Sequence, residues 1–486
     1  MKSAIKFGAL LFMAFAACTP KTEPDPGPDS GSGTTSVGQS IIIPQEAGTE
    51  VTVEIEAAGS WQIVNNTDWL SISPLSGFAG EATLKMYSRE SNMDIYEKSG
   101  TFTLVVNGTE EVTFHVFQDG AKGIVVGATE AGVNGSAGQA YVYVETNTEF
   151  TATFDQSWAS VSGIEYNLSE TLLEDGKTPS RVQTARVVLD VEANPTTDLR
   201  SGTLALDCNG TLYNVTVNQG LTSNATITDF ETPFFRRSLA MRFTATWCGW
   251  CPMMAESFKE AINELPDRIV GFTVYADDGS SLISSDCANE LSNMYRVNGF
   301  PTGKVNALAT VQNYDPSIGK EIIIGLAEEA VEQLPAKTAI SAATVTENGI
   351  FKLLASIASK ESMTYTLHVY LLEDGVIEEQ ESYDAAYPGG DDYVHNYVER
   401  CAVTGSEGVK LQGFANSTAN YALEYDIPDD VFDNIDNVYA VIYVTYDYDG
   451  TFQGSVPNAL YSRSGHIVDN VVKIPLNGQT DFEYEN

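Results

Sequence analysis

A chain of 486 residues with 43% hydrophobic content holds enough apolar material for about three or four separate cores. Its 26 basic residues face 66 acidic ones, a net charge of −40. Repulsion of that sign argues against nucleic acid and anionic membrane surfaces as partners.

The N-terminus opens with Lys2 and Lys6, followed by an apolar stretch from Phe7 to Ala17. The stretch is too short to span a bilayer but suits the apolar region of an export signal. Its end, "FAAC", places small residues before Cys18 and resembles the lipobox of bacterial lipoproteins. That resemblance implies a signal over residues 1–18, cleavage there and a lipid on Cys18. An ordinary secretory signal is the alternative, and it changes the anchoring but not the export. No later window reaches the apolar length of a transmembrane helix, so membrane attachment is expected through lipid alone. Residues 19–37, rich in Pro, Gly, Ser and acid, read as a disordered tether.

An internal repeat comes next. "SGTFTLVVNGTEEVTFHVFQDG" from Ser99 returns as "SGTLALDCNGTLYNVTVNQG" from Ser201, and "DWLSIS" at Asp68 returns as "SWASVS" at Ser157. Short alternating runs broken by Asn-Gly turns predict two immunoglobulin-like β-sandwiches, over 38–120 and 122–220. The Trp-x-Ser-x-Ser stretch, the Ser-Gly-Thr approach and the closing Val-Asn-Gln-Gly resemble the Bacteroidetes-associated carbohydrate-binding, often N-terminal, domain (BACON). The resemblance implies glycans as partners. A sugar platform needs exposed rings, whereas Trp69 and Trp158 hold equivalent repeat positions among alternating strand residues and read as core. Tyr141 and Tyr143 remain candidate contacts, and Cys208, standing where the first copy has Val106, reads as a small buried hydrophobe.

From Ala225 the pattern changes to strands alternating with helices, which predicts a central α/β domain over 226–335. "SLAMRFTAT" reads as a strand, "WCGWC" as the junction, "CPMMAESFKEAINEL" as a helix, "RIVGFTVYA" as a strand, "SDCANELSNMYRV" as a helix, and "NGFPTGKVNAL" as a turn into a strand. The Cys248-Gly-Trp-Cys251 motif therefore sits where a strand meets a helix. A zinc site needs two more ligands, yet there is no second CxxC and none of the four histidines lies between Thr226 and Leu334, so neither metal nor cofactor is expected. A helix N-terminus favours thiolate, and a CxxC thiol there can fall to a pKa of roughly 3.5–7.5, which suits disulfide exchange.

"WCGWCP", with "GFPT" some fifty residues on, resembles the thioredoxin fold. The resemblance implies Cys248 as nucleophile and Cys251 as the resolving thiol, with Phe300–Pro301 a cis peptide whose neighbouring backbone, with Thr302, meets substrate. Trp247 and Trp250 would flank the pair. Six residues before Cys248, where thioredoxins often carry a buried acid, this chain has Arg242, which would either stabilise thiolate or point into solvent. Cys287 and Cys401 read as structural thiols.

Residues 336–486 return to alternating strands and predict a C-terminal β-sandwich. "LLEDGVIEEQ", "YVHNYVERCAV" and "VPNAL", after the CxxC and "FPT", resemble a Bacteroidetes family related to a twenty-eight-kilodalton outer-membrane lipoprotein. That resemblance implies an outer-membrane lipoprotein facing the periplasm or the cell surface. His395, within "VHNYVER", reads as a satisfied structural histidine. Two functional readings stand. One is a tethered thiol–disulfide oxidoreductase acting on exported thiol or disulfide proteins. The other is a surface glycan- or protein-binding lipoprotein with a non-catalytic CxxC.

Overall fold

The computed structural model describes residues 40–276, 285–312, 315–449, 452–462 and 464–485; Cys18 and the segment 19–37 lie outside them. The architecture is multidomain and β-rich, in two compact units.

The first unit, up to Gln118 apart from residues 93–97, is a two-sheet module. Strands Ile41–Ile43, Glu110–Gln118, Lys98–Val106, Trp61–Asn65 and Ser76–Gly77 form one sheet, and Val51–Ala57, Gly80–Ser88 and Leu70–Ser73 the other. Every second side chain of these strands turns inward, so one face of each sheet supplies the core. Trp61 and Trp69 belong to that core. The Trp69 indole donates to the Ser99 carbonyl at 3.3 Å, and no sugar-stacking face is left open on it. Asn107 and Gly108 both adopt positive φ, 52° and 75°, and close the hairpin as a two-residue turn requires.

The second module repeats the design inside the larger unit. Glu130–Val133, Thr211–Gln219, Arg200–Cys208 and Thr151–Phe154 face Ala159–Glu165, Gln183–Val191, Gly138–Thr146 and Ile124–Val125. Asn209 and Gly210 repeat the positive-φ turn, and Trp158 is buried edge-on against Phe154, their centroids 4.9 Å apart. Cys208 is buried in the core. Tyr143 stacks on Phe414 at 5.0 Å, while Arg186 lies 4.1 Å over the Tyr141 ring, which stays 38% exposed. This module docks on the C-terminal strands: Lys352, a buried cation, pairs with Asp198 at 2.6 Å and Glu347 at 3.0 Å.

From Ser238 the elements are β1 (Ser238–Thr244), α1 (Cys251–Glu264), β2 (Ile269–Tyr275), α2 (Ala288–Met294), β3 (Thr302–Val305), β4 (Ala309–Val311) and α3 (Pro316–Gln333). After them come β5 (Thr338–Glu347), β6 (Ile350–Ser359), β7 (Met363–Glu373), β8 (Val376–Gln380), β9 (Gly390–His395), β10 (Val398–Ala402) and β11 (Val409–Gly413). The last are β12 (Ser417–Asp426), β13 (Val438–Asp449), β14 (Leu460–Tyr461), β15 (Ser464–Pro475) and β16 (Gly478–Thr480). Pro252 opens α1, and the Asp315 carboxylate accepts from the Ser317 and Ile318 amides to cap α3.

One sheet runs β14-β4-β3-β1-β2-β10-β7-β13-β15, with β11 also on β7. The α/β region and the C-terminal strands therefore share a single hydrogen-bonded sheet, joined where β2 pairs in parallel with β10. The registers make Met241, Phe272, Leu372 and Tyr443 residues of one face, over which α2 packs. The opposite face carries α1 and α3 over Ala240 and Val305. Further along that face a second sheet, β12-β6-β5-β16, closes a sandwich over Leu371, Ala440 and Ile442.

Candidate functional site

β1 ends at Thr244 and α1 begins at Cys251, so the motif occupies the turn between the C-terminal end of a central strand and a helix N-terminus. The Cys248 amide donates to the Ala245 carbonyl at 3.1 Å and the Cys251 amide to the Cys248 carbonyl at 3.0 Å, which winds the loop into the helix. Cys248 and Cys251 are joined by a disulfide, their Cα atoms 5.4 Å apart. Cys248 is 5% exposed and Cys251 fully buried, while Trp247 and Trp250 beside them are 42% and 46% exposed.

The Phe300–Pro301 peptide is cis. Phe300 packs against the cluster of Ala245, Cys248, Cys251 and Ala276, and the Trp247 ring meets Phe300 edge-on at 6.0 Å. The Thr302 hydroxyl donates to the Gly299 carbonyl at 2.7 Å and braces the proline turn. Cys248, Cys251, Trp247, Phe300 and Pro301 thus form one cluster.

Trp250 turns instead to Tyr383, 5.5 Å away and edge-on. Tyr383 belongs to a strap directly after β8. The Glu381 amide donates to the Thr246 carbonyl and the Tyr383 amide to the Gly249 carbonyl, each at 2.8 Å. The buried Gln380 side-chain amide reaches the carbonyls of Thr246 at 2.9 Å and Cys248 at 3.1 Å. A Cβ on Gly249 would sit 2.5 Å from the Tyr383 ring, so this close approach requires glycine there. Sequence reasoning did not find Gln380 and Tyr383. "IEEQ" is a polar run whose periodicity carries no sign of a partner more than 130 residues away.

Arg242 does not reach solvent. It is buried beneath the motif and donates to the Thr273 hydroxyl at 3.3 Å, and its charge acts on Tyr275 and His395. His395 is buried, its Nδ1 paired with the Tyr275 hydroxyl and its Nε2 with the Glu378 carbonyl at 3.2 Å. Burial, with the Arg242 charge adding, pulls its pKa down to about 4. Glu399, on the α2 face of β10, is fully buried, and desolvation together with the nearby Asp286 carboxylate pushes it up to about 8. Cys287 and Cys401 are free thiols buried on opposite faces of the sheet. Burial raises both, Cys401 to about 12, so neither is a reactive thiolate at neutral pH. Among the described residues no group of three His, Cys, Asp or Glu is placed to hold a metal ion.

Four family models match the chain. The viral BACON domain covers residues 34–121, the BACON "putative binding domain, N-terminal" covers 142–220, thioredoxin covers 224–314, and outer membrane protein Omp28 covers 288–458. The last two overlap across α2 and the cis-proline turn. No curated protein matches the chain. Among solved structures, a protein from Agrobacterium tumefaciens is 13% identical over 51% of this chain and 97% of its own, with a TM-score of 0.31. A domain of the outer membrane lipoprotein Omp28 from Porphyromonas gingivalis is 18% identical over 30% of this chain and 92% of its own, with a TM-score of 0.18. A Bacteroides ovatus GH5 xyloglucanase is 18% identical over a fifth of each chain, with a TM-score of 0.16. No described helix is long and apolar enough to cross a membrane. The chain is thus similar, in order, to BACON domains over its two N-terminal modules, to thioredoxin around the CxxC, and to outer membrane protein Omp28 from α2 through most of the C-terminal strands.

Proposed function

We propose that this protein is a thiol–disulfide oxidoreductase, tethered at the outer membrane by a lipid on Cys18, that exchanges disulfides with exported proteins through Cys248 and Cys251. The observation that carries the reading is the pair at the start of α1, joined as a disulfide and packed against Phe300 beside the cis Pro301. The helix N-terminus lowers the cost of a thiolate on Cys248. A substrate thiolate attacks the Cys248 sulfur, the Cys248–Cys251 bond breaks, and Cys251 leaves as thiolate and takes a proton. A second substrate thiolate then attacks the substrate sulfur of the mixed disulfide and expels Cys248. The substrate dithiol is oxidised and the protein pair reduced by two electrons; the reverse sequence reduces a substrate disulfide. Trp247 and Trp250 offer apolar surface to the incoming segment. The Omp28 match supports the outer-membrane placement, facing either the periplasm or the cell surface.

The second reading, a surface binding protein with a non-catalytic CxxC, draws on the strap from Gln380 to Tyr383, which holds the loop and leaves Cys248 little exposed. Trapping separates the two. Cys251→Ser, expressed in its native envelope, should accumulate dithiothreitol-sensitive adducts with exported proteins, and Cys248→Ser should not. If neither forms adducts and the wild type exchanges with no model disulfide, the binding reading stands instead.

A further inference from the structure

Beside the cis-proline turn, on the α2 face of the sheet, lies an open cleft of about 400 Å³. Arg296 and residues 298–301 form its wall, and Thr302, Lys304, Thr310 and Leu460 form its floor across β3, β4 and β14. In a chain of net charge −40 its charged lining is purely basic: Arg296 and Lys304, with no carboxylate among the described residues. Lys304 is 7% exposed, and its ammonium donates to the Thr310 hydroxyl at 2.7 Å. Burial and the neighbouring Arg296 charge both hold its pKa below the ordinary lysine value. Both effects disfavour the Lys304 ammonium, and an anion seated beside it would offset them.

We propose that this cleft is a carboxylate subsite that seats an acidic residue of the substrate polypeptide. The inference rests on the redox reading above. Phe300, Pro301 and Thr302 line the cleft, and Phe300 also packs against the disulfide, so a segment reacting at Cys248 continues into it. Lys304 lies three residues along β3 from Pro301, about 10 Å at roughly 3.3 Å per residue. The acid therefore belongs about three positions from the substrate cysteine. Substrates so selected are exported proteins whose reactive cysteine has Asp or Glu at that spacing.

The test uses reduced full-length protein and peptides whose single cysteine is capped as a mixed disulfide with a chromogenic aryl thiol. Attack by the Cys248 thiolate on the peptide sulfur expels the aryl thiolate, whose absorbance gives the rate. The peptides carry Glu, Gln or Lys three positions to either side of the cysteine. Glu peptides should react on the order of tenfold faster than Gln peptides at low salt, as expected of a charge-assisted contact, and Lys peptides more slowly. Arg296→Asn, which suits the positive φ of 54° at that residue, and Lys304→Gln should each cut the Glu advantage severalfold, read as the ratio of Glu to Gln rates within the same variant. Equal wild-type rates for Glu and Gln peptides, or an advantage surviving both substitutions, overturn the subsite while the oxidoreductase reading stands. Dependence on Arg296 with glutathione disulfide but not with the peptides overturns the polypeptide as its occupant. If no peptide reacts, the redox reading fails, and anisotropy with the Cys→Ser peptides decides. Glu-dependent binding lost in Arg296→Asn supports the subsite, and no binding overturns it.

Discussion

Glu399→Gln should make the larger unit more stable, by an amount that grows with pH. Glu399 is fully buried on β10 and desolvation raises its pKa from 4.5 to about 8. Between those values the native chain keeps a proton that the unfolded chain has lost. Stability therefore falls as pH rises through the window and is lowest above it. At about 1.36 kcal/mol per pKa unit, the ionisation penalty is under about 1 kcal/mol at pH 5, about 3 at pH 7 and about 5 above pH 9. Glutamine has nearly the same shape and no charge, so it removes the penalty without opening a cavity. Urea unfolding of both proteins at pH 5, 7 and 9 reads the difference directly. If the Gln variant gains no more at pH 9 than at pH 5, the carboxyl is not held protonated and the reasoning fails.

At the acid end the sign reverses. His395, held neutral with a pKa of about 4, should cost stability as pH falls below about 6.5 and through 4, and His395→Asn should flatten that limb of the unfolding curve. Gly249→Ala drives a methyl into the Tyr383 ring and should destabilise by about 1–3 kcal/mol; Tyr383→Ala in the same chain should recover most of that, and additive losses in denaturant melts would contradict the strap geometry. Cys18→Ser should move the protein from the detergent to the aqueous phase on phase partitioning, and unchanged partitioning would remove the lipid anchor from the account.

What the amino-acid sequence revealed was local in character. The Asn-Gly turns at 107–108 and 209–210 need positive φ at both residues, a constraint that shows in two letters. The alternation around Trp69 and Trp158 assigns them to an inward face without knowledge of the partner strand, and both are core. The CxxC at a strand-to-helix change needs only its neighbours to be read as a junction. Gln380 and Glu399 escaped for the opposite reason, because their environments are assembled from distant segments. The Gln380 amide meets carbonyls more than 130 residues away, and Glu399 lies by Asp286 and Cys287 in the turn that leads into α2. Strand pairing of β2 with β10 decides both, and no hydrophobic period records which strand a given strand will choose.

That pairing makes the CxxC region inseparable from the C-terminal strands. In a free-standing thioredoxin-like unit, an outer strand ends the sheet in solvent. Here the strand after α1 is joined at Thr273 to Val398 of β10, and through β10 to three further long strands. A fragment ending near residue 335 would strip that flank and leave the Thr273 amide without the Tyr397 carbonyl it donates to, on a strand whose every side chain is buried. It would also lose the Gln380 clasp on the cysteine loop. The border between the thioredoxin and Omp28 matches therefore does not mark a place where the molecule can be cut. Strands β10, β7, β13 and β15 are a lateral extension of the disulfide's own platform, joined to the strand that leads into the cysteines by one continuous layer of backbone.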